Sequence, residues 1–399
     1  MSARPVAAHV LFIPSWYATR DNPVHGSFFR DQALAVAKLG VQTGVVYAEL
    51  RSLRSLPRDG ARELFRRRYR ITEADDNAIS TMRVEGWLVP QAKQLSRQLW
   101  VQQTQRLIRS YARRHGVPDV IHAHCVHNAG VAAMEAKRRF RIPFVVTEHF
   151  SGYARGLLSD ALLVQAREVF TEADRLIAVS HALSQQIRRY AGGKAIEVIP
   201  NLVDTGFFSP PPERRRPRPF TFLFVGFLTD NKGVEELLRA FAAAFSADDP
   251  VRLEIGGDGV HRPVLEAVAR DLGLGNRVRF LGLLSREQVR AALWRANAFV
   301  SASRVETFGV VLIEAMATGI PVIVTRCGGP EEIVAPELGR LVPVGDGEAL
   351  QRAMSQMNAQ CEEWHAAAPR IRDHVERNFS AGRVGERLLE VYESVIGQV

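Results

Sequence analysis

Several features that mark common protein classes are scarce or missing in this chain of 399 residues. Its three cysteines, Cys125, Cys327 and Cys361, are odd in number and far apart, which disfavours a disulfide framework or a zinc site and favours a reducing compartment. No apolar run approaches the ~18 residues that a membrane span requires. The apolar start, residues 6–14, has no small-residue cleavage site, so it predicts a first strand and not a signal peptide. We therefore expect a cytoplasmic protein.

The glycine-rich loop of dinucleotide-binding proteins is also missing. The first strand-to-helix turn contains one glycine, Gly26, where that loop has the pattern Gly-x-Gly-x-x-Gly. A plain tight turn and a turn that lets backbone approach a ligand both explain this glycine. His122, His124 and His127 lie close together, but no carboxylate or cysteine spacing completes a set of metal ligands. We expect neither a metal nor a cofactor.

Acidic residues are scarce only in the first half of the chain. The net charge is +9, and up to residue 210 there are 29 Lys and Arg against 18 Asp and Glu, whereas the rest has 23 against 25. The densest basic stretch, residues 51–70, includes Arg66 and Arg67. No nucleic-acid-binding motif accompanies this charge, so nucleic acid is not expected. An anionic lipid surface, a lipid-linked diphosphate and a simply solvated face remain the alternatives.

Strand-like and helix-like stretches alternate along the chain, which predicts an α/β protein with parallel sheets and helices on both faces. A chain of this length exceeds what one core usually serves, so we expect two domains. Residues 209–219, rich in proline and arginine, predict a linker because they can form neither a helix nor an inner strand. It separates a first domain, residues 1–208, from a second, residues 220–380. Residues 73–80 are polar, show little periodicity and are expected to be mobile.

Residues 303–319 carry the clearest chemical signal. A helix is predicted to open near Gly309, where unpaired backbone N–H groups and the positive end of the helix dipole favour a phosphate. Glu306 precedes this opening, and Glu314 lies about one turn inside the helix. A carboxylate can accept two hydroxyl hydrogen bonds worth about 1.5–3 kcal/mol each. Two carboxylates that flank an anion site therefore suit a nucleotide sugar. The alternative for either glutamate alone is a solvated helix or loop charge.

Further short motifs follow this stretch. In order, the residues are Glu306, Phe308, Gly309, Glu314, Gly319, Pro321, Val322 and the run 328–334, Gly-Gly-Pro-Glu-Glu-Ile-Val. This order resembles the signature of glycosyltransferase family 4. The resemblance implies a retaining enzyme of the GT-B fold, with two Rossmann-like, doubly wound domains that face a cleft. It also implies that a C-terminal helix, about residues 381–399, crosses back to the first domain.

The resemblance further implies donor-binding positions. Glu314 holds the ribose, and Glu306 and the amides after it face the donor sugar. Lys232 is expected to clamp the diphosphate, because a helix dipole alone contributes only about 0.3–1 kcal/mol at an exposed terminus. Family members commonly have an arginine where this chain has Phe227. Substitution by Arg304 or another basic residue and weaker binding of the donor are the two open alternatives. The expected donor-binding residues are Gly26, Gly226, Lys232, Leu281, Thr307, Phe308, Gly309, Val310 and Glu314.

In the first domain, residues at the carboxyl ends of strands are expected to face the cleft, because open α/β sheets bind ligands there. His149 is expected to donate a hydrogen bond to a sugar hydroxyl. The resemblance implies a functional histidine after the corresponding strand. A packed or exposed loop histidine is the alternative. The expected acceptor-side residues are His124, Glu148, Arg66 and Arg67.

These expectations combine into a retaining, metal-independent glycosyltransferase. It would move a hexose from a UDP- or GDP-sugar to a saccharide or a polyprenyl-diphosphate-linked acceptor in polysaccharide or glycolipid biosynthesis. A peripheral position of the protein on the inner face of the cytoplasmic membrane is also compatible with this function. No Asp-x-Asp pair occurs, so the charge of the leaving group would fall on Lys232, helix starts and backbone donors. His149 and Glu306 complete the expected catalytic set. The alternatives are a GT-B nucleotide-sugar epimerase or phosphorylase and a non-catalytic, basic membrane-surface protein.

Overall fold

The computed structural model describes residues 8–19, 25–55, 68–76, 79–88, 92–213 and 219–397. The expected acceptor-side residues Arg66 and Arg67, and the linker residues 214–218, lie outside these ranges. The chain divides into two compact units. Unit 1 consists of Met1–Val179, Leu183–Ile199 and Val384–Val399, and unit 2 consists of Ser180–Ala182 and Pro200–Arg383.

Unit 1 contains an eight-stranded sheet among its described residues, in the order β3-β4-β2-β1-β5-β6-β7-β8. Its strands are β1 His9–Pro14, β2 Gln42–Ser52, β3 Ile71–Asp76, β4 Ile79–Leu88, β5 Val120–His124, β6 Phe144–Glu148, β7 Arg175–Ala178 and β8 Ile196–Val198. Every described pairing is parallel except that of β3 with β4. β1, β5 and β6 are buried along their whole length, as expected for inner parallel strands covered on both faces.

Unit 2 contains a six-stranded, parallel sheet among its described residues, in the order β11-β10-β9-β12-β13-β14. Its strands are β9 Phe220–Val225, β10 Val251–Gly256, β11 Val278–Gly282, β12 Ala298–Ser301, β13 Val322–Thr325 and β14 Gly339–Val342. The order reverses between β9 and β12, and in open α/β sheets ligands bind at the carboxyl ends of strands at such a reversal.

Helices connect the strands in both units. In chain order they are α1 Ser27–Ala37, α2 Lys93–His115, α3 Val131–Phe140, α4 Asp160–Glu172, α5 His181–Ile187, α6 Val234–Ala244, α7 Arg262–Asp271, α8 Arg286–Arg295, α9 Val310–Ala317, α10 Gly347–Ala359, α11 Cys361–Phe379 and α12 Ala381–Ile396. The predicted α/β class with parallel sheets is confirmed.

The last helix returns to unit 1. From Val384 onward α12 belongs to that unit, and its apolar residues Val384, Leu388 and Tyr392 recur at helical spacing and are buried. The Arg387 side chain donates a hydrogen bond to the Val198 carbonyl oxygen at 2.6 Å. The predicted return of the C-terminal helix is therefore confirmed.

The polar span of residues 73–80, in which the sequence shows little periodicity, includes part of a strand that was not predicted. Residues Ile71–Asp76 form the edge strand β3, which pairs antiparallel with β4. Its four central residues are exposed, so the strand shows no alternation of apolar and polar side chains. The Glu73 carboxylate accepts hydrogen bonds from Ser80 and Arg114, and these contacts lower its pKa to about 2. Backbone pairing with β4 and polar contacts of Glu73 thus stabilise a strand that hydrophobic periodicity does not predict.

Candidate functional site

Two of the expected catalytic residues form an ion pair in unit 2. Lys232 ends a single 3-10 turn, Asp230–Lys232, that follows β9. Its Nζ donates a hydrogen bond to Oε2 of Glu306, which follows β12, at 2.6 Å. The two side chains are 25% and 23% exposed. Because β9 and β12 are neighbours in a parallel sheet, the fold brings the segments after both strands to one edge.

The backbone of Glu306 is anchored to the segment after β13. Its N–H donates to the Cys327 carbonyl oxygen at 3.1 Å, and its carbonyl oxygen accepts from the Gly329 N–H at 2.9 Å. The pKa of the Cys327 thiol is raised to about 11, mainly by burial, and the nearby Glu306 charge adds to the rise while Lys232 opposes it. Cys327 therefore lies beside the ion pair, a position that the sequence analysis missed.

Helix α9 begins next to this carboxylate. Gly309, the residue before the helix, has φ 98°, in the left-handed region that favours glycine. A β-carbon at Gly309 would lie 3.6 Å from Cγ of Glu306. The first N–H groups of the helix thus start beside the ion pair, with no partner within the helix itself. The other donor-binding residues expected in this segment are half-buried: Thr307, Val310 and Glu314.

The Phe308 side chain belongs to the core of unit 2. It is buried, and its ring lies 5.8 Å from the ring of Phe379. A β-carbon at Gly329 would come within 2.4 Å of the Phe308 α-carbon, so the two backbones are packed together. A donor can therefore meet only the backbone of Phe308 at this position.

Gly226 and its neighbours form the edge of the site after β9. The Gly226 N–H donates to the Gly256 carbonyl oxygen at 3.0 Å, and a β-carbon at Gly226 would lie 4.0 Å from Cε of Lys232. Phe227, which stands where an arginine was expected, is 50% exposed. The expected residue Leu281 is half-buried in β11.

Arg304 was one open substitute for the expected arginine. Its guanidinium lies 3.1 Å from the Asp230 carboxylate and also bonds to the Glu236 carboxylate. Both contacts are solvent-exposed, and the pKa of Arg304 is raised, chiefly by Glu236. Because two carboxylates already compensate this charge, Arg304 is not a ready partner for a diphosphate in this structure.

In unit 1, Gly26 occupies the position before α1. Its φ is 71°, in the left-handed region. A β-carbon at this position would lie 2.7 Å from the Trp16 carbonyl oxygen, so any larger residue would clash with backbone as well as suffer strain. This packing accounts for the glycine as a tight turn.

His124 and His149 lie at the carboxyl ends of neighbouring strands and bond to each other. His124 ends β5 and His149 follows β6, and Nδ1 of His124 is 3.1 Å from Nε2 of His149. The His149 ring packs between Phe28 and Phe29, with ring centres 5.2 and 5.0 Å away. Burial, with a smaller contribution from the charge of His122, lowers the pKa of His149 to about 3, and burial lowers that of His124 as well. Both imidazoles are therefore neutral at physiological pH.

Glu148 is fully buried and holds backbone N–H groups. Oε1 accepts hydrogen bonds from the N–H groups of His149 and Phe150 at 2.9 and 2.8 Å, and Oε2 accepts from Val126 at 3.0 Å. Burial raises its pKa, although these hydrogen bonds act in the opposite direction. Neither Glu148 nor His124 has solvent-exposed surface, so neither side chain is accessible to an acceptor as expected. Both instead hold His149.

The sequence analysis missed a second histidine network behind this pair. Nδ1 of His122 lies 2.7 Å from the Tyr392 hydroxyl, and Nε2 of His122 lies 2.7 Å from Oγ1 of Thr147. The tyrosine comes from α12, so sequence spacing contains no signal for this contact. Within the described ranges, no group of three or more His, Cys, Asp or Glu residues is placed to hold a metal ion.

The expected site residues thus form two groups, one in each unit. In unit 2 the structure brings together Gly226, Lys232, Glu306 and Gly309. In unit 1 it brings together His124, Glu148 and His149.

Comparisons with known proteins connect this geometry to a family. The family described as Glycosyltransferase Family 4 matches residues 28–207, and the one described as Glycosyl transferases group 1 matches residues 208–371. The chain is 30% identical, over 315 residues, to the D-inositol 3-phosphate glycosyltransferase of Corynebacterium urealyticum, covering 72% of this chain and 74% of that protein. It is 27% identical, over 230 residues, to the phosphatidylinositol N-acetylglucosaminyltransferase gpi3 subunit of Schizosaccharomyces pombe. That alignment covers 57% of this chain and only 50% of the subunit's length.

The fold is also found among solved structures. The sucrose-phosphate synthase of Thermosynechococcus elongatus matches with a TM-score of 0.78 and 20% sequence identity, covering 98% of this chain and 100% of that chain. At this identity the likeness shows the fold alone, and it confirms the predicted GT-B fold class.

Proposed function

Because the chain belongs to glycosyltransferase family 4, we propose that it transfers a hexose from a nucleoside-diphosphate sugar to an acceptor with retention of configuration. The observation that carries this proposal is the Lys232–Glu306 ion pair beside the glycine that opens helix α9. It places a cation, a carboxylate and the first backbone N–H groups of α9 within one small region. These are the groups that a diphosphate and a sugar hydroxyl require.

Donor binding would exchange the partner of Lys232. The ammonium leaves Glu306 for the diphosphate, whose oxygens also accept hydrogen bonds from the first N–H groups of α9. The Glu306 carboxylate is then available to accept hydrogen bonds from hydroxyls of the donor sugar. Glu314, one turn into the helix, accepts those of the ribose. Each carboxylate–hydroxyl bond contributes about 1.5–3 kcal/mol.

The chemical step is a front-face displacement. The bond between the anomeric carbon and the phosphate oxygen breaks, and the acceptor oxygen forms its bond to the same face of that carbon. The acceptor proton passes to the departing phosphate oxygen, so the nucleoside diphosphate leaves with the electron pair of the broken bond. Lys232 and the α9 N–H groups stabilise its growing negative charge. His149 holds the donor sugar through a hydroxyl, and no metal is required.

Purified protein tests the reaction directly. UDP-hexoses and GDP-mannose are offered with saccharide and polyprenyl-diphosphate-linked acceptors, and release of nucleoside diphosphate is measured. Transfer requires that this release depend on an acceptor and that the product retain its anomeric configuration in NMR spectra. Release without an acceptor, or sugar phosphate formed with inorganic phosphate, would identify an epimerase or a phosphorylase. No turnover with any donor would favour a binding protein.

Two variants test the proposed roles of Glu306 and Lys232 in transfer. Glu306→Ala and Lys232→Ala should each abolish transfer while the fold persists. Glu235→Ala is the matched control, because it breaks the exposed pair of Glu235 with Arg239 in the same unit. Turnover like that of the wild type in either site variant would remove that residue from the mechanism.

The acceptor is proposed to be presented at an anionic surface. Arg106, Arg109 and Arg113 are exposed along α2 at helical spacing, and no helix within the described ranges could cross a membrane. Each such residue contributes about 1 kcal/mol near an anionic surface. The names of the two relatives, which specify phosphatidylinositol and an inositol phosphate, support an acceptor that carries phosphate.

This proposal places the protein at the inner face of the cytoplasmic membrane, in polysaccharide or glycolipid assembly. Sedimentation with phosphatidylglycerol vesicles should exceed that with phosphatidylcholine vesicles and should fall with added salt. Replacing Arg106, Arg109 and Arg113 together by Gln should reduce it. Arg352→Gln, at an exposed arginine of unit 2, should not. Equal sedimentation with both lipids would contradict the membrane surface but leave transfer to a soluble saccharide intact.

A further inference from the structure

Two neighbouring side chains of unit 1, His127 and Tyr153, bury polar atoms that have no hydrogen-bond partner. Nδ1 and Nε2 of His127 and the hydroxyl of Tyr153 are all buried, and none of them is bonded within the described ranges. The two rings are stacked, with centres 6.4 Å apart and an angle of 19° between their planes. Each of these atoms has lost its hydration without gaining a bond, which is rare in native proteins and calls for an explanation.

Arg97, on α2, adds a positive charge that lacks an acidic partner. Its side chain is half-buried, and its guanidinium donates only a long hydrogen bond, 3.5 Å from Nη1 to Oε1 of Gln165 on α4. Burial lowers the pKa of Arg97, and no carboxylate within the described part of the chain acts against this shift. An arginine stays charged in proteins even so. A half-buried cation of this kind favours an anion as its partner.

The fold brings these three side chains to one edge of the sheet. His127 follows β5 and Tyr153 follows β6, so both lie at the carboxyl ends of neighbouring parallel strands. Helices α2 and α4 both pack against residues Val126–Gly130. Burial, with a smaller contribution from the charge of Arg97, lowers the pKa of His127 to about 4. His127 is therefore neutral at pH 7 and offers one N–H donor and one bare nitrogen.

The backbone around His127 is held in a conformation that such residues rarely adopt. φ is 68° at Cys125 and 59° at Asn128, and positive values are uncommon for residues other than glycine. The Ser15 hydroxyl donates a hydrogen bond to the His127 carbonyl oxygen at 2.6 Å, which fixes this backbone. Strained residues cluster at sites that bind ligands. The backbone of His127 is thus fixed, whereas both nitrogens of its ring remain unused.

We propose that Arg97, His127 and Tyr153 bind the phosphate group of the acceptor. The guanidinium supplies a positive charge and a fork of N–H donors that matches phosphate oxygens. The Tyr153 hydroxyl and the N–H of His127 each donate to a further phosphate oxygen, and the bare nitrogen of His127 accepts from a hydroxyl beside the phosphate. Because Arg97 is partly exposed, the phosphate meets it first, and rotation of the two rings then completes the site.

This inference rests on the proposed function, in which the acceptor carries phosphate, and it assigns that phosphate to named side chains. The phosphate belongs either to a free phosphorylated polyol or to a lipid headgroup, and both sources present the same oxygens to Arg97. D-inositol 3-phosphate represents the first source in the experiments, and vesicles that contain phosphatidylinositol represent the second.

NMR on the full-length protein labelled with 15N-histidine reports directly on the site. The signals of His127 are identified by their loss in His127→Gln, and excess UDP is present so that phosphate bound near Lys232 does not contribute. Inorganic phosphate and D-inositol 3-phosphate should shift these signals in a saturable way, and inositol should not. No shift with either phosphate, or an equal shift with inositol, would overturn the proposal.

Arg97→Gln tests the charge at the centre of the site. It should raise the Kd of both phosphates about ten- to a hundredfold, the range of one hydrogen bond between charged groups. Arg139→Gln is the matched control, because it removes the same charge from an exposed position on α3 of the same unit, and it should leave the Kd unchanged. An unchanged Kd in Arg97→Gln would overturn the proposal.

Tyr153→Phe separates ligand binding from a structural role. The hydroxyl has no protein partner among the described residues, so its removal should not lower the midpoint of urea unfolding, yet it should raise the Kd of inorganic phosphate about tenfold. Tyr111→Phe is the contrast, because its buried hydroxyl bonds to His9 at 2.8 Å and its loss should lower the midpoint. A lower midpoint in Tyr153→Phe would show that a buried water already satisfies the hydroxyl, and would overturn the role of Tyr153.

Vesicles identify the source of the phosphate. If the site takes a lipid headgroup, sedimentation with phosphatidylinositol vesicles should fall in Arg97→Gln and not in Arg139→Gln. If it takes a free phosphorylated polyol, Arg97→Gln should change the Kd of D-inositol 3-phosphate alone. Either result supports the site, and an effect on neither ligand would overturn it.

Kinetics separates this inference from the proposed function. With D-inositol 3-phosphate or phosphatidylinositol as acceptor, Arg97→Gln should raise the KM of the acceptor about ten- to a hundredfold and leave the Kd of UDP and GDP unchanged. An unchanged KM, or an equal kcat/KM for inositol and its phosphate, would overturn the inference. If no donor supports transfer to any acceptor, the proposed function fails, and the phosphate titrations still decide whether this site exists.

Discussion

Replacing Glu306 by Gln should tighten the binding of a nucleoside diphosphate while it abolishes transfer. In the structure Nζ of Lys232 donates a hydrogen bond to Oε2 of Glu306 at 2.6 Å. A diphosphate that binds Lys232 must first displace this carboxylate. Gln has nearly the same shape and keeps the two backbone hydrogen bonds of residue 306, but it lacks the charge that holds the ammonium. The variant therefore removes a competitor of the ligand and, with it, the acceptor for the sugar hydroxyls.

The magnitude follows from the environment of the pair. Both side chains are about one quarter exposed, so solvent screens their attraction, and a pair of this kind contributes up to about 1 kcal/mol. Since about 1.4 kcal/mol corresponds to a tenfold change in Kd, removing the competitor should lower the Kd of the nucleoside diphosphate about fivefold. Loss of the repulsion between the carboxylate and the diphosphate acts in the same direction.

Isothermal titration calorimetry with UDP and GDP measures this change at low salt, where screening is weakest. A double-mutant cycle with Lys232→Met isolates the coupling, because in the Met background only the loss of repulsion between the carboxylate and the diphosphate remains, so the Glu306→Gln change should tighten binding less. Glu235→Gln, in the exposed pair with Arg239, serves as the control. The idea that Glu306 competes with the diphosphate for Lys232 would be refuted by an unchanged or higher Kd in Glu306→Gln. An equal decrease in Kd in the Met background would also refute it.

Three further predictions concern other parts of the site. Tyr392→Phe should lower the free energy of unfolding of unit 1 by about 1–3 kcal/mol in urea, because it leaves the buried Nδ1 of His122 without its donor; an unchanged value would contradict that hydrogen bond. Burial lowers the pKa values of His122 and His149 to about 3 in the folded protein, so between pH 6.5 and 3 only the unfolded chain binds their protons. As the pH is lowered through this range, the free energy of unfolding should decrease by about 1.4 kcal/mol per pH unit for each histidine. Urea unfolding at pH 7 and 5.5 checks this, and equal values would contradict it. Gly309→Ala should cost about 1–2 kcal/mol of stability, because φ is 98°, and should weaken UDP binding in calorimetry; wild-type values in both would contradict the role of the left-handed turn.

The main features of the fold could be predicted from the sequence because the inner strands are continuous apolar runs. β1 and β6 are buried on both faces, and such runs between helical patterns identify parallel strands wherever they occur. The edge strand β3 has no such pattern. Four of its six residues are exposed, and it is held by pairing with β4 and by polar contacts of Glu73 with residues distant in sequence.

The candidate site was predictable to the extent that its residues are close in sequence. Glu306, Gly309 and Glu314 belong to one short motif, so their proximity could be expected. The Lys232–Glu306 ion pair joins residues 74 positions apart. The bond between His122 and Tyr392 joins residues 270 positions apart, and no local pattern encodes either contact.

The sequence also did not show whether the side chain of a motif residue lies in the core or at the surface. Phe308 lies within the motif, yet its ring packs against Phe379 in the core. Arg304 also lies within it, yet its charge is already compensated by Asp230 and Glu236. Sequence patterns identify which residue types recur together. They do not show which of these side chains the tertiary structure has already engaged.

The two groups of site residues are built on opposite electrostatic principles. In unit 2 Lys232 and Glu306 are charged, partly exposed and paired, so a ligand of higher charge can displace one partner, and added salt weakens the exchange. In unit 1 His124 and His149 are neutral and buried, and burial lowers both pKa values below that of a free imidazole, so neither salt nor a pH between 6.5 and 8 alters their charge. Nucleoside-diphosphate binding should therefore weaken with salt. Recognition of the sugar by His149 should not, so with a soluble saccharide acceptor we expect the ionic-strength dependence of kcat/KM to come chiefly from the diphosphate contacts.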